Sequence, residues 1–303
     1  MQTVPRATEW PTVILFAATY ALWALGTTLL WPLSPVLAVI VTGLAIAQLS
    51  SLTHEVLHGH PFRWQLLSEA LIFPATGVFI PYLRFKDTHL QHHNDPILTD
   101  PYDDPESNYF DPAQWAQLSA PAQAVLRFNN TLLGRVTVGP LLGTAFFLGN
   151  DLRLAAKGDA RVYLAWALHL PGLALVLWWL MAVGSMPVWA YLVAVYIGTA
   201  LLKIRTYLEH RAHEAARART VIIESRGPLS LLFLNNNFHV VHHMHPAAPW
   251  YKLPGLYAAR KEHYQRRNES YVYRNYTEIF RRYFLSAKDP VPHPVWPVRK
   301  VDD

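Results

Sequence analysis

The 303-residue chain contains no cysteine. That absence excludes disulfides, zinc ribbons, thiolate nucleophiles and iron–sulfur clusters held by the chain's own sulfurs. Charge is scarce as well: 16% of the residues are charged and 52% are apolar, against about 25% charged in an ordinary soluble domain. A membrane-embedded chain is implied. A mean hydropathy of only +0.11 excludes a protein built almost wholly of spans, so a sizeable polar part must lie outside the lipid and carry the chemistry. No Gly-x-Gly-x-x-Gly nucleotide fingerprint, internal repeat or low-complexity tract is present. Histidine, by contrast, occurs fifteen times and is the obvious metal ligand.

Four stretches lack Lys, Arg, Asp and Glu altogether: 11–31, 33–53, 162–183 and 187–202. Each approaches the roughly 20 apolar residues that a helix needs to cross a bilayer. Trp10, Trp31, Trp189, Tyr163 and Tyr191 stand at their ends, where aromatic belts belong, and Lys203 can snorkel to lengthen the last. Of the 26 Lys and Arg, Arg6 precedes the first span, eight lie between residues 63 and 161, and seventeen lie from Lys203 onward. The short connections near 32–35 and 184–186 have none. By the positive-inside rule, both termini and the long central loop are therefore expected in the cytoplasm. Arg6 is too thin a positive region for a cleaved signal peptide, so the first span is expected to be retained. Stretches 66–82 and 131–150 are apolar but interrupted by Glu69 and Pro74, or by Arg135 and Pro140; interfacial or re-entrant helices are expected there. The proline-rich 290–297 reads as an extended tail. The predicted fold is an all-α membrane protein, a single domain over 1–303, in which four transmembrane helices and interfacial helices carry a cytoplasmic histidine-rich cap (54–161 and 203–303) around a di-metal site.

Ten of the histidines crowd into three windows: His54-Glu55-Val56-Leu57-His58-Gly59-His60, His89-Leu90-Gln91-His92-His93, and His239-Val240-Val241-His242-His243-Met244-His245. Residues three and four apart share a helix face. His54 with His58, His89 with His92 and His93, and His239 with His242 and His243 can thus each aim imidazoles at one point. A structural zinc takes four ligands and a catalytic zinc three plus water, whereas the windows offer eight at matching spacing. One ion cannot use them all. Imidazole suits Fe, Cu, Ni and Zn, and two octahedral irons with four or five imidazoles each would leave room for dioxygen or water.

These windows resemble the three boxes H-x(3,4)-H, H-x(2,3)-H-H and H/Q-x(2,3)-H-H of the integral-membrane fatty-acid desaturase and hydroxylase superfamily, and the resemblance runs from about Leu33 to Leu253. It implies two iron ions (Fe2+/Fe3+), O2 as co-substrate and attack on an unactivated C–H bond. It also implies His54, His58, His89, His92, His93, His239, His242 and His243 as metal ligands. The family tends to use one more ligand between the fourth span and the last box. His210 is the choice here and His213 its competitor. No catalytic residue separate from the ligands is expected.

A ligating imidazole usually gives its second N–H to a carboxylate or carbonyl. Glu55, Asp87, Asp95, Asp100, Asp103, Asp104 and Glu209 are the carboxylate candidates. The run Thr99-Asp100-Pro101-Tyr102-Asp103-Asp104-Pro105 resembles an acidic stretch found after the second box in relatives, and it reads equally as an Asp/Pro turn. Asn235-Asn236-Asn237 can hydrogen-bond ligands, with Asn235 the leading candidate, or cap a helix near Asn237. His60, His245, His263 and His293 lack box spacing and are expected at the surface or behind the ligands. His169, mid-span, reads as a buried hydrogen-bonding residue.

Rival readings exist. The first window also spells H-E-x-x-H, in which Glu55 would be the general base of a membrane zinc metalloprotease between His54 and His58; that reading leaves both H-x-x-H-H groups unexplained. A metal transporter would place its histidines inside the spans rather than beyond them. Between the oxygenases, the segment from His245 to Pro254 resembles those of acyl-lipid desaturases, carotenoid ketolases and hydrocarbon oxygenases, and a fatty-acyl desaturase is favoured over a hydroxylase or monooxygenase. Electrons must come from an external ferredoxin, rubredoxin or cytochrome b5 type of donor, since no His-Pro-Gly-Gly of a fused cytochrome b5 occurs. A lipid or fatty-acyl substrate and the membrane are the other expected partners, with no nucleic acid.

Overall fold

The computed structural model describes residues 7–296. Arg6, Arg299 and Lys300, which enter the charge count, and the last residue of the 290–297 stretch lie outside the described residues. The chain is mostly helical. It opens with α1 (Trp10–Thr27), α2 (Pro35–Leu57), α3 (Gln65–Leu71) and α4 (Tyr82–His92). After a turn-rich segment come α5 (Leu132–Thr137), α6 (Gly139–Ala156), α7 (Ala160–Ala182) and α8 (Val188–Thr206). Of these, α1, α2, α7 and α8 are long and apolar enough to cross a membrane.

The boundaries differ from the apolar runs in an informative way. Helix α1 stops at Thr27, where the Thr27 and Thr28 hydroxyls turn back onto the Trp23 and Ala24 carbonyls; Leu30–Leu33 is a separate turn. Helix α2 begins at Pro35 behind Ser34, whose hydroxyl accepts from the Leu37 N–H, and it runs on to Leu57, so that His54 lies within it. Small residues let α2 and α8 approach closely, since a Cβ on Gly198 would stand 2.9 Å from the Gly43 carbonyl oxygen. At one end of the bundle the Thr27 carbonyl accepts from Ser185 and Met186 at 2.9 and 3.1 Å, tying the two short connections together.

Stretch 66–82 is helical only in α3. Residues 72–80 then wedge into the bundle as irregular backbone, which apolar surroundings tolerate only if its polar groups are satisfied. Ala75 donates to the Gly172 carbonyl at 3.3 Å, the Tyr191 hydroxyl donates to the Thr76 carbonyl at 2.8 Å, and His169 Nε2 bonds the Val78 carbonyl at 2.7 Å. Gly172, near the middle of α7, makes the approach possible: a Cβ there would stand 2.1 Å from the Phe73 carbonyl oxygen. Stretch 131–150 divides into α5, capped by the Thr131 hydroxyl, and α6. Helix α5 lies against α8, where the Tyr196 hydroxyl donates to the Thr137 carbonyl, and α6 leaves Leu141, Phe146 and Leu152 exposed.

Beyond α8 a parallel pair, β1 (Ile222–Ile223) with β2 (Val272–Tyr273), frames the short α9 (His239–Met244). Helix α10 (Tyr276–Tyr283) buries Tyr276, Ile279 and Tyr283 against Leu132, Tyr207 and Phe233. The proline-rich tail is extended but docked: Phe110 donates to the Val291 carbonyl at 3.0 Å, and His293 to the Phe110 carbonyl at 2.8 Å. At the end of the bundle opposite the short connections, His60 Nδ1 meets Glu9 Oε1 at 2.9 Å and Trp250 Nε1 donates to Thr12 Oγ1 at 3.2 Å. This is the end where the histidine windows gather.

Candidate metal centre

Helical spacing sets the imidazoles. His54 occupies the last turn of α2 with His58 as its C-terminal cap, and their ring centroids are 4.9 Å apart. His89 and His92 occupy the last turn of α4 with His93 as its cap, while His239, His242 and His243 lie on α9. His210 follows α8 in a single bridge to Thr220.

Together they form two groups, each with ligand nitrogens within 4.8 Å of one another: His54, His58, His89, His93 and His242 in the first, and His92, His210, His239 and His243 in the second. Consecutive residues serve different groups, His92 against His93 and His243 against His242. Within the first group, His93 Nε2 stands 3.0 Å from His89 Nε2 and 3.1 Å from His242 Nε2. In the second, His210 Nε2 stands 2.8 Å from His92 Nε2 and 3.0 Å from His239 Nε2. Two nitrogens each about 2.1 Å from one ion and at right angles around it would be about 3.0 Å apart. The spacing fits a shared ion.

The protons agree. His92 Nδ1 lies 2.8 Å from Asp104 Oδ1, and His89 Nδ1 lies 2.8 Å from Glu106 Oε1. An ionised carboxylate only accepts, so each Nδ1 carries the hydrogen and each Nε2 presents a lone pair inward. For His239 the assignment runs through a chain: Arg205 Nε donates to Glu209 Oε1 at 2.8 Å, and Asn236 Nδ2 donates to the same oxygen at 2.6 Å. The Asn236 Oδ1 is thereby left to accept from His239 Nδ1 at 3.3 Å.

Burial and the neighbouring imidazoles hold His93, His210, His239 and His242 well below the ordinary histidine pKa, keeping them neutral, the form in which an imidazole is able to bind a metal. Burial alone would lower His92 too, but Glu106 and Asp104 outweigh it and carry it up to about 9, so that a cation at Nε2 would have to take the place of its second proton.

Other expected residues are placed elsewhere. Asp87 pairs with Arg161 at 2.7 Å away from the imidazoles. Asp100 closes a turn by accepting from the Tyr102 and Asp103 N–H groups, and Asp103 contributes its carbonyl to Gln91. His213 lies 3.4 Å from Glu269 and accepts from Ala215 N, outside both groups. The Asn235 amide donates to the Trp250 carbonyl, so it is its neighbour Asn236 that meets an imidazole of the second group, His239. Glu55 accepts from the Trp250 N–H at 3.1 Å. The Asp95 side chain lies outside what is described. Among the histidines without box spacing, His263 is exposed and His245 bonds the Tyr264 hydroxyl at 3.1 Å. His60 and His293 are buried, a correction to any surface placement, because Glu9 and Thr99 receive them.

Glu106 went unrecognised in the sequence. It lies one residue beyond the acidic run and two beyond Asp104, which was the available signal.

The model of the family described as Fatty acid desaturase matches residues 26–275, most of the chain and all three histidine windows. No curated protein matches it significantly.

Proposed function

The chain belongs to the fatty acid desaturase family, and from that premise we propose that it is an O2-dependent, non-haem di-iron oxidoreductase acting on unactivated C–H bonds of a membrane lipid, with fatty-acyl desaturation as its reaction. The observation that supports this most directly is the division of nine imidazoles between two adjacent groups whose ring nitrogens converge. The donor set suits the ions: His54 Nε2 and His58 Nε2 are buried without a partner, as lone pairs awaiting a cation would be, and imidazole is a good ligand for iron. One iron would be held by His54, His58, His89, His93 and His242, the other by His92, His210, His239 and His243. Once bound, the pair supplies the redox chemistry for activating dioxygen toward hydrogen abstraction.

The chain's own part is positional. Asp104, Glu106 and Asn236 fix the rings of His92, His89 and His239 by accepting hydrogen bonds from their Nδ1–H groups, while the buried helix ends keep bulk water from the converging nitrogens. Glu55 is turned to the Trp250 backbone, which together with the family argues against the zinc-protease reading. The charge distribution supports a cytoplasmic site with both termini on that side, fed by an external ferredoxin, rubredoxin or cytochrome b5 type of donor.

The test combines metal analysis with product analysis. Iron-replete expression should give about two irons per chain and little zinc; a single stoichiometric zinc would sink the di-iron assignment. With a reconstituted donor and mass spectrometry of the acyl products, loss of two hydrogens means desaturation. Gain of one oxygen instead would make the enzyme a lipid hydroxylase. Oxygen-independent peptide cleavage with lipids untouched would show that the class is wrong.

A further inference from the structure

The segment 288–293 lies beyond the stretch matched by the family, yet it touches the supports of one histidine group at two places. On one side His293 Nε2 meets the Thr99 hydroxyl at 3.1 Å, and the Thr99 N–H donates to Asp104 Oδ2 at 2.8 Å. The other oxygen of Asp104 holds His92 Nδ1. Thr99, Asp104 and His293 are all buried. On the other side Lys288 Nζ donates to the carbonyl of His210 itself. The next residue, Asp289, takes the Tyr109 hydroxyl proton, and that hydroxyl accepts from the Ala212 N–H at 2.9 Å. The backbone on both sides of Arg211 is thus pinned by consecutive residues of the tail. Two main-chain bonds with Phe110, to Val291 and from His293, hold the strap in register.

Both ligands reached in this way, His92 and His210, belong to the four-imidazole group. The five-imidazole group is reached only one residue further on, since Asp104 Oδ1 also accepts from the Glu106 N–H at 2.9 Å and the Glu106 carboxylate holds His89 Nδ1.

We propose that residues 288–293 are a positioning strap chiefly for one metal: His293, through Thr99 and Asp104, sets the ring of His92, and Lys288 with Asp289 sets the backbone of His210, so that the four-imidazole site is complete only when the tail is docked. This rests on the di-iron reading above. A four-imidazole site has fewer protein ligands to spare than a five-imidazole one, so the same loosening of one ring costs it proportionally more. Support behind a ligand is worth roughly 10- to 100-fold in metal affinity.

The experiment is iron counting and Mössbauer spectroscopy on the full-length protein, enriched in the iron-57 isotope, comparing the parent with His293→Ala, His293→Gln and Lys288→Met. Helicity and chromatographic profile are measured on the same samples. The parent should hold about two irons, and His293→Ala and Lys288→Met about one, with one of two iron signals lost and helicity kept. His293→Gln, which can still bond the Thr99 hydroxyl, should recover most of the second iron. If His293→Ala unfolds, Lys288→Met decides alone, since it removes the bond to the His210 carbonyl and the ion pair with Asp289 at 3.4 Å while keeping an unbranched apolar stem. A parent with two irons and variants that keep both, or that lose both signals in parallel, would overturn the strap while leaving the di-iron reading intact. A parent without two irons would overturn both.

Discussion

His93 and His243 stack face to face, with ring centroids 4.3 Å apart and planes 19° apart, although each belongs to a different imidazole group. They come from helices α4 and α9, distant in sequence, and each is the covalent neighbour of a ligand in the other group. The two groups therefore share a wall.

Substitution of a ligand in either group should accordingly be severe. His54→Ala, His92→Ala and His242→Ala are each expected to abolish lipid oxidation and to lower iron content. Glu55→Gln should keep measurable activity, because its amide oxygen can still accept from the Trp250 N–H at a cost of about 1 kcal/mol. Activity lost in Glu55→Gln with iron fully retained would give Glu55 a chemical role.

Side-specific labelling tests the placement in the membrane. Single cysteines at the exposed Arg63, Asp103, Glu214 and Glu262, introduced into a chain that has none, should all react from the cytoplasmic face. Arg63 and Glu262 labelled from opposite faces would be incompatible with a shared site.

Gly172→Leu should displace the wedge of residues 72–80. Its Cβ alone would overlap the Phe73 carbonyl oxygen, and overpacking of this kind costs about 1–3 kcal/mol. A thermal midpoint several degrees lower in detergent is expected, and an unchanged midpoint would mean that the wedge does not press on α7.

The His60–Glu9 pair gives a pH signature. Burial by itself would lower the His60 pKa, but the Glu9 hydrogen bond together with the Glu55 and Glu9 charges outweighs it and the value is raised. A folded-state pKa above the unfolded one contributes stability that is fully present below the ordinary histidine value and is lost as pH rises through the raised value. Thermal midpoints measured across that window should fall with rising pH in the parent and fall less in Glu9→Gln. Parallel curves would remove the pair from the account.

Eight of the nine converging imidazoles were legible in the sequence because residues three and four apart on a helix need no knowledge of the tertiary fold; His210 rested on the family resemblance instead. The partners of these rings were not legible. Asp87 is close to the second window in sequence, but two residues before His89 is nearly the opposite side of a helix, and there it meets Arg161. Asp104 and Glu106 reach back from a turn in which Thr99 has a positive φ of 68°, a conformation that a run of Asp and Pro suggests without fixing its direction. The spans were legible from charge-free runs, but their ends depended on Ser34 and on the Thr27 and Thr28 hydroxyls, single side chains that hydropathy averages away. The tail carried no periodicity at all, and its docking depends on Phe110, far away in the chain.

The wedge at 72–80 has a consequence for how this protein could be altered. Its polar contacts with α7 and α8 are made by carbonyl and amide groups of Phe73, Ala75, Thr76 and Val78, so this partition inside the bundle is built largely of main chain. Trimming a side chain lowers an ordinary wall, but it leaves this one standing. Inserting or deleting a residue between Leu71 and Tyr82, rather than exchanging one, is the change that would move it.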